Sequence, residues 1–373
     1  MLSAWLEKLR DFRNRKVSDP DFRRWAARFP LTRPIARRQA KALFDLTAGF
    51  VYSQILSSCV QVGLFDILAR GPRDLDLIAV LTRLPREGAE RLLKAAAALD
   101  LVEARRGGLY GLGSLGAALV GNPGVCALIR HHDILYGDLA DPLPLLQGEV
   151  KSGLRHYWAY ADDRSGNGAT PRRHADYTAL MAASQAMVKE EILNAYPIGR
   201  HRRLMDVGGG DGTFLIAAAR MAPQLKLVLF DLPPVAATAQ IRLQAAGLAA
   251  RAKAVGGDFF TDDLPEGADL VLLNRVLHDH DDDAALAILR AVRKAIAPQG
   301  TLLIAEPMAG TPGAQASGDA YFGFYLLAMG QGRPRTAEDI GGLLDQAGFD
   351  GMRSIGTNTP LIARLLSARP MDG

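Results

Sequence analysis

Short apolar runs and helical stripes alternate along the second half of the chain. Leu204–Val207, Lys226–Phe230, Lys253–Gly256, Leu270–Val276 and Thr301–Ala305 are runs of strand length. Between them, Thr213–Met221, Val235–Ala246 and Asp283–Ile296 read as helices. Such alternation predicts an α/β fold, a doubly wound parallel sheet with helices on both faces. Thr336–Gly348 then reads as an amphipathic helix, and Gly351–Ile355 and Leu361–Ala368 as strands.

The first half is patterned differently. Ala40–Leu68 reads as one helix, with Leu43, Leu46, Phe50, Ile55 and Leu56 among its apolar positions, closing on Gly71-Pro72. A short helix Leu75–Leu81, a turn Thr82–Pro85, a second helix Arg86–Leu99 and a hairpin of Leu101–Ala104 with Leu109–Leu112 together predict a winged helix. Arg83, Arg86, Arg91, Arg105 and Arg106 permit a DNA-binding reading, a cofactor-sensing regulator. The run Ala95–Ala98 favours packing instead, because it offers few side chains able to read base edges. Cys126–Tyr160 is mixed, Asp162–Pro171 is a polar loop, and Asp176–Tyr196 is a long helix carrying Met181. Adjacent His131 and His132 point about 100 degrees apart on a helix, which suits surface or pocket lining better than a metal site. The expected division is an arm 1–41, a helical winged-helix domain 42–195 and an α/β domain 196–373.

Composition narrows the class. At 373 residues and 49% hydrophobic content, the chain can bury two cores. Its two cysteines, Cys59 and Cys126, indicate neither a disulfide framework nor a cysteine zinc site and suit a reducing cytoplasm. No stretch approaches 18 uninterrupted apolar residues, so no membrane span is expected. The net charge of +4 hides an asymmetry: Met1–Lys41 holds twelve Lys/Arg against four Asp/Glu. Within it, Leu2, Trp5, Leu6, Leu9 and Phe12 share one side of a helix whose remainder carries Lys8, Arg10, Arg13, Arg15 and Lys16. Two readings stay open for this basic amphipathic arm, docking on an anionic membrane surface and packing within the protein or its dimer.

The chemistry concentrates at strand ends, where ligands bind in open α/β sheets. Leu204–Phe214 is a strand breaking into a glycine loop that opens a helix, a Rossmann-like junction for a nucleoside cofactor. A dinucleotide loop spaces its glycines G-x-G-x-x-G; here the third comes one residue early, as Gly208-x-Gly210-x-Gly212. Asp206 just before it would repel a pyrophosphate but suits an ammonium group, which points to S-adenosylmethionine. Asp231 ends the next strand, placed to take ribose hydroxyls. Asp258 offers an acid for an adenine amino group, beside Phe259 and Phe260 for stacking. Asn274 ends the fourth strand, His278 and His280 follow it, and Glu306 ends the fifth. Methyl transfer to a hydroxyl needs alignment and a proton acceptor, and no metal. His278 is placed as base, with His280 its rival, and Glu306 could orient the His278 ring.

Asp206–Gly212, Phe230-Asp231-Leu232-Pro233, Gly257-Asp258-Phe259, Leu277-His278-Asp279 and Arg335-Thr336 with Ala347-Gly348-Phe349 resemble the plant caffeate and bacterial polyketide class of O-methyltransferases. The resemblance covers most of the chain and implies that the winged domain makes an intertwined dimer and helps wall the substrate pocket. It also implies that Gly208, Asp231, Asp258 and Phe259 bind S-adenosylmethionine and that His278 accepts the proton, with Glu306 supporting it. Asn274 stands where plant members usually have Lys, and Pro334 replaces a second acid beside the base. Within the family, Arg28–Ala40, Leu43-Phe44-Asp45 and Gly49–Gln54 resemble the carotenoid 1-hydroxy methyltransferases of purple photosynthetic bacteria. That likeness implies a tertiary alcohol on a long polyene, of the demethylspheroidene or hydroxyneurosporene type, taken from the photosynthetic membrane. Phe50, Tyr52, Met181, Phe322, Phe324, Tyr325 and Met329 are candidates for an apolar tunnel. Within the enzyme class, the rival activity is methylation of a bacteriochlorophyll ring carbon.

Overall fold

The computed structural model describes residues 2–149, 152–155 and 188–371. They form two compact units, Met1–Val120 and Gly121–Gly373.

In the first unit, helices Leu2–Ser18, Pro20–Arg28 and Arg33–Gln61 lead into Leu64–Ala69, Leu75–Thr82 and Arg86–Ala98. Asp19 caps the second helix by accepting from Asp21 N at 2.8 Å, with Pro20 preset for the first turn. The single helix expected over Ala40–Leu68 is broken at Gly63, whose φ of 68° is left-handed. Strands β1 (Arg73–Asp74), β2 (Val102–Ala104) and β3 (Leu109–Leu112) pair in the order β1-β3-β2, and the expected wing is present. The second helix of the motif buries Ala89, Leu93 and Ala96. Most of the motif's cations face acids of the same unit: Arg86 with Asp76, Arg91 with Glu87, Lys94 with Glu90 and Arg105 with Glu103. This pairing reduces the positive face that phosphate contacts require.

The helix Arg33–Gln61 has the length and hydropathy of a membrane span, a feature that a search for uninterrupted apolar runs misses. Leu43, Phe44, Leu46, Phe50 and Val51 stand exposed on it. So large an uncovered apolar face marks an interaction surface.

The second unit is built on seven strands: β4 (Arg203–Val207), β5 (Lys226–Asp231), β6 (Ala252–Gly256), β7 (Ala268–Asn274), β8 (Ile296–Glu306), β9 (Phe349–Ile355) and β10 (Arg364–Pro370). Their order is β6-β5-β4-β7-β8-β10-β9. The expected parallel arrangement holds for the first five; β10 and β9 add antiparallel to β8 and to each other. Two apolar clusters cover the faces, one with Val271, Ile288 and Leu289, the other with Phe214, Leu215 and Leu243. Parallel strands buried on both sides explain the nearly continuous apolar runs.

Helix Pro123–Asp138 belongs to this second unit, whereas the sequence grouped it with the winged domain. Its Leu135 packs with Leu145, Leu154, Tyr325, Leu326 and Met329. Of the helix expected over Asp176–Tyr196, residues 188–195 are helical and the remainder lies outside the described residues. A π-helix, Ala316–Phe322, runs into helix Gly323–Met329, an element that no periodicity had announced.

Candidate active site

The sheet order places the carboxyl ends of β5, β4, β7 and β8 side by side, and with them Asp231, Asp206, Asn274 and Glu306. Gly208 leaves β4 with φ 70° and donates its N–H to the Phe230 carbonyl at 2.8 Å. A Cβ there would lie 2.8 Å from a Val276 methyl carbon, so both backbone sign and space demand glycine. Gly210, φ 59°, donates to Asp231 Oδ2 at 2.8 Å, and Leu232 N donates to Oδ1 at 2.7 Å. Each Asp231 oxygen keeps a further lone pair for a ligand hydroxyl.

Asp206 is 1% exposed, and its Oδ1 finds no hydrogen-bond partner among the described residues. Burial, and then Asp231, push its carboxyl up to about 8. Burial likewise raises Asp231 to about 6, opposed by the N–H groups of Gly210 and Leu232. A buried carboxyl beside a part-buried one on the neighbouring strand, with no cation paired to either among the described residues, is costly unless a ligand brings the charge. Asn274 adds a second orphan, a buried Oδ1 at the end of β7. Such unsatisfied polar atoms are rare away from ligand sites. The donor set therefore fits S-adenosylmethionine: Asp206 for the ammonium, Asp231 for the ribose, and Asn274 for a remaining polar group.

Asp258 follows β6 and accepts from Phe260 N at 2.9 Å. Phe259, Phe260 and His280 form an edge-on trio with centroids 4.7, 5.6 and 5.5 Å apart. His280, the expected rival base, thus contributes to an aromatic surface near the residue expected to meet adenine.

His278 is 2% exposed in the turn after β7. Its Nε2 lies 3.1 Å from Asp279 Oδ1, which assigns the neutral ring proton to Nε2. Nδ1 is then the acceptor, and it has no partner among the described residues. Burial works against ionised Asp279, yet His278, Arg275 and His280 outweigh it and hold the carboxyl below its usual range. Glu306 does not reach the ring as expected: its Oε1 accepts from the main-chain N–H of His278 at 3.1 Å. Its carboxyl is raised by burial, with His278 opposing. The ring's acid is the sequence neighbour Asp279, while Glu306, arriving from the adjacent strand, secures the backbone. Arg275, two residues before the turn, has a left-handed φ of 56°, a strained value for a long side chain.

The His131 and His132 ring nitrogens meet tyrosine hydroxyls, Nε2 of His131 at 2.9 Å from Tyr325 and Nε2 of His132 at 2.8 Å from Tyr321. Burial drops His131 to about 4, so it stays neutral. These pairs tie helix Pro123–Asp138 to helix Gly323–Met329 through Tyr325 and to the π-helix through Tyr321, and the π-helix's Phe322 ring centroid lies 5.7 Å from that of His278. Of the candidate tunnel residues, Tyr325 and Met329 are packed core, Phe324 and Phe50 are exposed, and Met181 lies outside the described residues. Among the described candidates, Phe322 has its ring against that of His278. Arg335, quoted in the sequence only as part of a motif, emerges fully buried against the turn that carries His278.

Residues 146–350 match the O-methyltransferase domain, and residues 44–122 match the O-methyltransferase dimerisation domain. The chain is 41% identical over 348 residues to demethylspheroidene O-methyltransferase of Cereibacter sphaeroides, covering 93% of this chain and 92% of that one. It is 39% identical over 344 residues to the enzyme of the same name from Rhodobacter capsulatus, covering 91% and 85%. The crystal structure of human N-acetylserotonin methyltransferase in complex with S-adenosylmethionine superimposes with a TM-score of 0.72, covering 90% of this chain and 98% of that chain at 25% identity. The dimerisation match includes Phe44, Leu46, Phe50 and Val51, the uncovered apolar face of the long helix, and supports a homodimer. Strand-end acids, a buried histidine and both matched segments converge: the chain belongs to the O-methyltransferase family, with that family's dimerisation domain ahead of its catalytic one.

Proposed function

We propose that this protein is an S-adenosylmethionine-dependent O-methyltransferase acting on the tertiary 1-hydroxyl of an acyclic carotenoid, with His278 as proton acceptor. The observation that carries the chemistry is buried His278, paired with Asp279 and with Nδ1 unpartnered among the described residues, in the turn that follows β7, the strand beside that of orphaned Asp206. When bound, the cofactor supplies an electrophilic methyl on a sulfonium. Asp206 and Asp231 hold its polar ends, and the buried surroundings exclude water, which would compete as acceptor. In the transfer of that methyl to the acceptor oxygen, His278 Nδ1 would take the hydroxyl proton. A tertiary alcohol is too weak an acid to ionise first, so proton loss accompanies attack. Asp279 stabilises the resulting imidazolium, as a carboxylate does in a Ser-His-Asp triad. Phe322 beside the base gives an apolar, flat wall suited to the end of a polyene.

The substrate class rests on the relatives named above. Incubation of the purified protein and labelled S-adenosylmethionine with 1-hydroxycarotenoids, polyphenols and bacteriochlorophyll precursors tests it. Methyl ether on the carotenoids alone is the expected product; label in a ring carbon, or only in phenols, would discard the reading.

A polyene acceptor resides in a bilayer, and the arm fits a bilayer surface. Trp5, Leu6, Leu9 and Phe12 are exposed on the first helix, and exposed Trp25 stacks on Phe29 at 5.0 Å. Twelve cations against four acids in residues 1–41 suit anionic headgroups, whereas a second copy would bring the same positive charge. The arm also precedes residue 44, where the dimerisation match begins. Sedimentation with phosphatidylglycerol vesicles is expected, reversed by salt and weakened by Trp5→Asp with Phe12→Asp. Equal sedimentation with neutral vesicles, or none with anionic ones, would exclude electrostatic docking.

A further inference from the structure

We infer that Arg335 is a positioning residue for the reaction, a clamp that holds the turn carrying His278 and Asp279 in one conformation. The inference rests on His278 as the base and concerns what fixes it.

The Arg335 side chain is wholly buried. Its Nη1 donates to the Leu277 carbonyl at 2.7 Å, and its Nη2 to the His280 carbonyl at 2.7 Å. Nε and Nη2 also meet Asp282 Oδ1, at 2.9 and 2.7 Å. Leu277 and His280 are the residues on either side of the His278–Asp279 pair. A guanidinium removed from water is costly unless its donors are used, and these donors are spent on this turn and the acid that follows it.

Other contacts close the same turn. Gly332 takes φ 76°, and a Cβ built there would lie 2.2 Å from the His278 carbonyl oxygen, so only glycine lets that backbone cross the turn. Gly332 N donates to Asp281 Oδ1 at 3.0 Å. From the opposite side, Glu306 takes the His278 N–H. The polar backbone of the turn is thus held by residues distant in sequence, which leaves the Asp279 carboxylate for the ring. Lysine cannot replace this arrangement, because a single ammonium lacks the planar fork that spans two carbonyls and a carboxylate. A base displaced by a fraction of an ångström loses much of its value in an aligned displacement.

The test is Arg335→Lys in the full-length dimer, measured with the acceptor that the carotenoid assay identifies. We expect kcat to fall about ten- to a hundredfold while affinity for S-adenosylmethionine stays within about twofold. The His278 imidazole nitrogen resonances, assigned by their loss in His278→Ala, should move. In the His278→Ala background, Arg335→Lys should cost nothing further, since it acts through the missing ring. Asp282→Asn, at a half-exposed site, should reproduce the kcat loss more weakly, and covers the case in which Arg335→Lys fails to fold. Arg333→Ala should stay near wild type, because among the described residues Arg333 pairs with the side chains of Asp282 and Asp339 and not with the turn's backbone. Unchanged kcat and resonances, a parallel loss of cofactor affinity, or the same fold-loss with and without His278 would overturn the clamp. Full turnover in His278→Ala would instead remove the premise that His278 is the base.

Discussion

Replacing His278 by alanine is expected to cut turnover by about 10²- to 10⁴-fold, the usual worth of a general base, with S-adenosylmethionine binding nearly unchanged. The separation follows from the site: the carboxyls proposed to hold the cofactor stand at the ends of β4 and β5, while His278 lies in the turn after β7. Removing the ring leaves alignment and desolvation intact, so residual methyl transfer should remain measurable. Asp279→Asn should fall between the two, because it keeps a hydrogen-bond acceptor on Nε2 but loses the charge that stabilises the imidazolium. Glu306→Gln should act through the backbone, with a smaller loss of rate and lower thermal stability, since it removes a buried acceptor from the His278 N–H. Cofactor titration by calorimetry and single-turnover rates distinguish these outcomes. Near-normal turnover in His278→Ala would assign the proton elsewhere.

Cofactor affinity is expected to rise with pH toward about 8, the value to which burial and Asp231 push Asp206, and to fall again as the ligand's own α-ammonium loses its proton. At neutral pH the unliganded carboxyl holds a proton; a ligand ammonium requires the carboxylate, so binding expels that proton. Titrations in buffers of different ionisation enthalpy should reveal the release. Asp206→Asn should remove the slope and weaken binding roughly ten- to a hundredfold, about 1.5–3 kcal/mol for a charge-assisted hydrogen bond. Stability of the unliganded protein should run the other way. A carboxyl with an ordinary value of 3.8 that titrates near 8 when folded binds an extra proton between those values in the folded state. Its contribution is complete below the lower value and is lost as pH rises through the upper one. Affinity independent of pH between 6 and 9, or wild-type affinity in Asp206→Asn, would show that Asp206 does not meet the ammonium.

The readable and unreadable features divide by distance along the chain. Strand, glycine loop and helix were legible at Leu204–Phe214 because each is a local pattern; that Gly208 and Gly210 take a left-handed backbone came from the structure. Asp206, Asp231, Asn274 and Glu306 were legible as strand ends, since a parallel sheet gathers its carboxyl ends on one edge. The hairpin of the winged helix was legible for the same local reason. Side-chain direction was not: Glu306 was expected on the imidazole and sits on the main chain, and Asp279, its neighbour in sequence, holds the ring instead.

By itself the sequence determined the α/β class, the winged motif, the strand-end acids and the identity of the buried histidine, because periodicity and glycine placement act over a few residues. Tertiary structure alone decided the antiparallel β9 and β10, the packing of helix Pro123–Asp138 on the second unit, the π-helix that brings Phe322 to His278, and the grip of Arg335 on a turn more than fifty residues away. Each depends on which distant groups must satisfy buried carbonyls, N–H groups and charges once water is gone, and that demand exists only in the folded chain.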